Sequence, residues 1–147
     1  MADVEGQATV HINAAPEKVY ALISDVTRYP EWSPEQVKTE WVGDAKGPAV
    51  GAKFKGHNKL GILRWSRSAT VKAADPGKEF TFETPETRWS YKLSPAGGGT
   101  DVTESFETLK YGLFSKLTAP PKKRAPKLEG DVQKTLERIK AAVEGSA

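Results

Sequence analysis

The chain has 147 residues, the size of one domain, and a single domain spanning 1–147 is expected. It has no cysteine, which excludes disulfides, thiolate metal sites and a cysteine nucleophile, and its two histidines, His11 and His57, are too few for a three-histidine zinc site. The net charge is +3, yet Lys110, Lys116, Lys122, Lys123, Arg124 and Lys127 put +6 and no acid into 110–127, so the remainder is net negative.

Residues 4–13 alternate, with Ala8, Val10 and Ile12 on one face, and read as a strand. Pro16 suits the first turn of a helix and Glu17 its positive end. Val19, Tyr20, Leu22, Ile23 and Val26 continue helical spacing to about Arg28. Pro30 and Pro34 bracket a short helical turn, Glu31-Trp32-Ser33. From Gln36 to Gly43 the period changes to that of a strand, with Val37, Thr39 and Trp41 on one face. Further strands are predicted at Gly51–Leu60, Arg64–Ala73, Glu79–Thr84, Thr87–Leu93 and Thr100–Leu109. Their turns fall at Asp44–Pro48, Gly61, Asp75-Pro76-Gly77, Pro85-Glu86 and Ala96–Gly99. A Pro- and Lys-rich connector, Ala119–Pro126, reads as stiff and non-helical. Leu128, Val132, Leu136, Ile139 and Val143 then form one apolar stripe on a final helix, about Lys127 to Val143.

Six consecutive short strands joined by tight turns predict an antiparallel meander in an α+β fold. The amphipathic last helix must bury its stripe, and the concave face of that sheet is the obvious place.

Five stretches carry a family resemblance: Ile12–Tyr20 (INAAPEKVY), Asp25–Ser33 (DVTRYPEWS), Gly51–Asn58 (GAKFKGHN), Trp65, and Val102–Phe106 (VTESF). Through them the chain resembles the START/Bet v 1-like (SRPBCC) superfamily, most closely its bacterial polyketide cyclase/dehydrase-like branch, from Thr9 to Val143. The resemblance implies the helix-grip fold: a seven-stranded curved antiparallel sheet around a long C-terminal helix, with two short helices between strands 1 and 2. It also implies a cavity between sheet and helix. Members of the superfamily include lipid and hormone carriers, aromatase/cyclases and chaperone-activating domains, so the fold does not choose the function.

The inward alternation supplies the candidate site. Phe54, Trp65, Phe80, Phe82, Trp89, Tyr91 and Phe106 are aromatic wall residues, and Asn58, Arg67 and Glu104 fall on the same faces. Trp32, Leu117 and Leu136 complete the expected ligand-binding set, and Tyr29 is expected to pack the short helical turn. Glu104 reads either as a structural residue, near the strand end or paired with Arg67, or as a ligand-contacting carboxylate, or an acid/base if burial raises its pKa. Arg67 reads either as a rim residue or as an anchor for a ligand anion. Asn58 either bonds to a neighbouring backbone group or orients a ligand carbonyl. The catalytic candidates are Glu104, Arg67 and Tyr91. His11 and His57 fall on the outward faces, no Ser–His–Asp pattern is present, and Gly97–Gly99 is a turn rather than a phosphate loop.

The leading expectation is a protein that binds a small hydrophobic ligand, lipid-like or aromatic. The first alternative is a polyketide aromatase/cyclase or dehydratase; the second is a protein-interaction module using the basic 110–127 segment. Within it, Leu113–Lys127 also reads as a solvated connector whose Leu113, Phe114 and Leu117 cover the core's mouth, as a mobile gate, or as an anionic-membrane contact. No metal, cofactor or nucleic-acid partner is implied, and nothing encodes an oligomeric state. The N-terminal residues carry no basic patch or apolar stretch, and no apolar run approaches the roughly 20 residues that span a bilayer. A soluble, cytoplasmic protein without stable membrane insertion is therefore expected.

Overall fold

Alternation of apolar and polar residues places seven strands in one antiparallel sheet. They are β1 (Glu5–Ile12), β2 (Gln36–Val42), β3 (Lys53–Leu60), β4 (Leu63–Asp75), β5 (Glu79–Glu83), β6 (Thr87–Ala96) and β7 (Gly99–Thr108). The computed structural model describes residues 5–32, 36–85, 87–108 and 121–145. The spatial order is β1-β7-β6-β5-β4-β3-β2. Six strands thus form the expected meander, and β1 closes onto β7, its partner farthest along the chain. Ile12 pairs with Thr100, Val10 with Val102 and Ala8 with Glu104.

The β6–β7 hairpin shows why glycine sits where it does. Between β6 and β7 the paired ends are Ala96 and Gly99, and the central residues Gly97 and Gly98 have φ of +54° and +83°. Positive φ at both central positions is the I′ arrangement, which matches strand twist and favours glycine. Gly99 is constrained by space instead. A Cβ there would lie 2.4 Å from the Ile12 carbonyl oxygen and 2.9 Å from His11 Nε2. Gly99→Ala is expected to push β1 off β7 and to cost about 2 kcal/mol or more in urea denaturation; an unchanged midpoint contradicts that.

Helix α1 covers Pro16–Ile23, shorter than its periodicity suggested. The chain turns at Ser24, and Asp25 opens a 3₁₀ helix, Val26–Glu31, by accepting from Thr27 N (3.2 Å) and Thr27 Oγ1 (2.5 Å). The second short helix is therefore this 3₁₀ segment, which starts earlier than expected and takes in Glu31, while Ser33 lies outside the described residues; a local side-chain cap sets its start. Val37 also departs from expectation. The β2–β3 register shifts between Gln36 and Lys38, and Val37 is 54% exposed. A bulge breaks the period-two pattern there.

The C-terminal helix α2 runs from Pro121 to Gly145, starting inside the connector expected to be non-helical. Pro121 stands at the first position, where no intrahelical N–H is lost. Val132, Leu136, Ile139 and Val143 are buried, as the stripe predicts. The helix packs along β1 and also touches α1 and β7. Polar ties fix its far end: Lys140 Nζ donates to His11 O (2.6 Å), and Glu144 accepts from Asn13 N (2.9 Å). No helix among the described residues is long and apolar enough to cross a membrane.

Candidate functional site

The site grows from two adjacent rows of residues across the inner face of the sheet. In one, Ala8 on β1 faces Glu104 on β7, which faces Tyr91 on β6, which faces Phe80 on β5. In the next, Gly6, Phe106, Trp89 and Phe82 follow the same path. A period of two puts all eight on one face, so strand geometry alone brings Glu104 and Tyr91 side by side. The 3₁₀ helix lays Tyr29 over these rows. Its ring centroid lies 6.1 Å from that of Phe82, 6.2 Å from Phe54 and 6.5 Å from Trp32. Trp32 is held in turn by the Arg28 guanidinium 5.4 Å over its ring and by Arg138 Nη1 donating to its carbonyl (3.4 Å). Arg28 is itself oriented by a forked pair with Glu31 (2.8 and 2.9 Å).

Within this aromatic interior lies a small polar cluster. Glu104 is only 4% exposed, and the Tyr91 hydroxyl donates to its carboxyl. Among the described residues, three buried polar atoms have no hydrogen-bond partner: Glu104 Oε1, the Tyr29 hydroxyl and Trp32 Nε1. Burial pushes the Glu104 carboxyl up to about 8, against a smaller opposing pull from the Tyr91 hydrogen bond. Burial, and next the nearby Glu104 charge, hold the Tyr29 and Tyr91 phenols well above their ordinary value. At neutral pH the cluster is therefore mostly uncharged: one carboxylic acid and two phenols. Such groups can donate hydrogen bonds to a carbonyl or phenolate oxygen. A carboxyl titrating near neutrality can also pass a proton in either direction.

The expected site residues separate into two groups. Trp32, Phe54, Phe82, Tyr91, Glu104 and Phe106 are buried, Trp89 is half-buried with its ring 5.6 Å from Phe106, and Leu136 is buried on α2. Asn58, Trp65 and Arg67 stand apart. They have the predicted inward register, Asn58 opposite Trp65 and Arg67 opposite Gly56, but β5 pairs with β4 only from Thr70 onward. This part of the β3–β4 hairpin therefore lacks a neighbour on its β5 side. Asn58 and Trp65 are half-buried; Arg67 is exposed and donates to Ser66 O (3.3 Å). The Arg67–Glu104 pair, one of the alternatives for Glu104, is not formed, because inward alternation places a side chain on a face without placing it under the core. Leu117 lies outside the described residues, as do residues 110–120 of the basic segment.

Tyr29 is the member of the polar cluster that periodicity assigned only to packing. Its sole sequence signal was its place in Asp25–Trp32, between a helix cap and a proline. His11 and His57 point outward as predicted, His11 to Asp101 (2.8 Å) and His57 to Glu40 (3.1 Å).

Residues 3–144 match the family model described as “Polyketide cyclase / dehydrase and lipid transport”. The chain belongs to that family. No curated protein matches it significantly. Among solved structures it is similar to the Polyketide_cyc-like protein Cgl2372 from Corynebacterium glutamicum, with 30% identity, TM-score 0.68, and 98% of this chain and 93% of that one covered. It shares its fold with TTHA0849 from Thermus thermophilus, with 21% identity, TM-score 0.72, and 97% and 99% of the two chains covered. The di-domain ARO/CYC StfQ from the steffimycin biosynthetic pathway is 13% identical with TM-score 0.77, over 97% of this chain and 51% of that one. Membership in the polyketide cyclase/dehydrase family, with its helix-grip-like sheet and C-terminal helix, supports a ligand-binding or cyclase role.

Proposed function

We propose that this polyketide cyclase/dehydrase family member binds a small hydrophobic, partly aromatic molecule whose oxygen atoms meet Glu104, Tyr29 and Trp32, with Tyr91 holding the Glu104 carboxyl. The observation that carries this reading is the trio of buried polar atoms without partners, all within one aromatic interior. An unpaired buried polar group costs about 1–3 kcal/mol, so native proteins rarely retain one without a use for it. A ligand oxygen near the cluster satisfies these donors, while the surrounding rings take up its apolar body.

Proton transfer by Glu104 on a bound intermediate is the second reading. It is favoured by a carboxyl whose burial holds it near neutrality beside a phenol donor. Positioning plus one acid/base group can suffice for a cyclisation or dehydration of a reactive intermediate.

Tyr29→Phe separates a binding role from a packing role. Removing an unsatisfied hydroxyl while keeping the ring is expected to raise ligand-free stability by about 1 kcal/mol and to weaken retention of the ligand by roughly tenfold. Native mass spectrometry of gently purified protein, beside the same sample denatured, reads retention. A clean ligand-free mass, with no uptake from an aromatic and lipid mixture, argues against the binding reading. Turnover of a retained compound that Glu104→Gln abolishes points to the second reading.

A further inference from the structure

The β3–β4 hairpin projects its tip into solvent. Leu60 pairs with Leu63, leaving Gly61 and Ile62 as a two-residue turn. Gly61 has φ +62° and Ile62 is not left-handed, the II′ arrangement that glycine permits at the first central position. The tight turn presents Ile62 at 97% exposure and Leu63 at 63%. Val37, 54% exposed at the β2 bulge, lies towards the same end of the sheet, since β2 meets β3 there through Gln36 and Asn58. Three of the four exposed large apolar residues among those described thus gather at one end of the fold.

Cations flank the tip, while Lys46, Lys53 and Lys72 lie towards the opposite end of the hairpin. Between Asp44 and Asp75 the chain carries Lys46, Lys53, Lys55, Lys59, Arg64, Arg67 and Lys72 and no acid. Lys59 pairs with Arg64 on the outer face directly behind the tip, and Lys55 follows on that face. Arg67 stands on the opposite face. The nearest acid on the neighbouring strand, Glu40, is engaged by His57 (3.1 Å) and Lys38 (3.6 Å).

We infer that this tip is a docking surface for an anionic lipid bilayer. Apolar side chains on a convex point, with cations on both faces behind them, suit a medium that is negative at its surface and apolar beneath. The long Lys and Arg stems can reach headgroups while Ile62 and Leu63 enter the acyl boundary. A second copy of the chain fits poorly, because it brings one cationic collar against another. The inference does not depend on a ligand in the interior.

The test is sedimentation of the full chain with vesicles of phosphatidylcholine alone or with roughly one third phosphatidylserine. Binding is expected only to the anionic vesicles and is expected to weaken with salt. Ile62→Ser with Leu63→Ser should lower the apparent affinity at least about tenfold at an unchanged melting temperature. Lys59→Ser with Arg64→Ser should lower it about thirtyfold and flatten the salt dependence. Failure to bind anionic vesicles in low salt overturns the proposal. So does binding that both double variants leave within about twofold, which assigns it to another surface. Tip-dependent dimerisation, or capture of an acidic protein without vesicle binding, gives the tip to a different occupant and also overturns it.

Discussion

Folding stability is expected to fall as pH rises from about 4.5 to about 8, then to level off, because Glu104 must hold its proton in the folded state. The unfolded chain releases that proton near the ordinary value of 4.5, whereas the buried carboxyl keeps it up to about 8. Between the two, the folded state binds more protons than the unfolded state. The stabilising contribution is therefore fully present below 4.5 and is lost as pH rises through 8. At about 1.4 kcal/mol per unit, the loss reaches an upper bound of order 5 kcal/mol, a large share of a typical domain's stability. Glu31, Glu40 and Glu144 act in the opposite direction. Hydrogen bonds from Arg28, His57 and Lys140, respectively, hold these three carboxyls below their ordinary value, so their contributions fade only in acid. Mildly acidic buffer is the expected optimum. Glu104→Gln keeps the shape and removes the proton. Its urea midpoint should stay flat from pH 5 to 9 and exceed that of the parent protein at the alkaline end. Parallel profiles for the two proteins would mean that Glu104 is ionised in the fold and would remove the basis for its acid/base role.

Phe54→Ala should cost about 3–5 kcal/mol, the range for truncating a buried aromatic residue. The Phe54 ring touches three others edge-on: Tyr29 at 6.2 Å, Trp41 at 5.7 Å and Phe82 at 5.0 Å. It joins the meander's β2 end to the 3₁₀ helix that carries Tyr29. Truncation therefore removes apolar burial and also loosens the segment that places the Tyr29 hydroxyl. Phe54→Leu retains most of the volume and should cost less than half as much. Thermal denaturation of both variants checks the order. Near-equal losses would show that ring contacts, rather than filled volume, set the energy at this position.

Much of the architecture was legible in the sequence because its signals are local. Alternation from Gln36 to Leu109 specified the six-strand meander, and glycines marked the hairpins at Gly61 and Gly97–Gly98. The stripe Val132, Leu136, Ile139 and Val143 named the buried face of α2. Alternation also put Glu104 and Tyr91 on one face, and their cross-strand pairing makes them neighbours. Local signals failed where a side chain or a register shift overrode the period, as at the Asp25 cap, the Val37 bulge and the helical start at Pro121.

Other features depend on distance in three dimensions, which no period encodes. Arg67 and Glu104 both face inward, but only tertiary packing decides that one reaches solvent and the other lies under the core. Tyr29 joins the polar cluster because the 3₁₀ helix folds over the sheet, far from β6 and β7 in the chain. Sequence by itself determined the strands, most of their inward faces and the family. Tertiary structure alone decided which inward residues lose water, and desolvation is what turns an ordinary glutamate into a buried acid poised near neutrality.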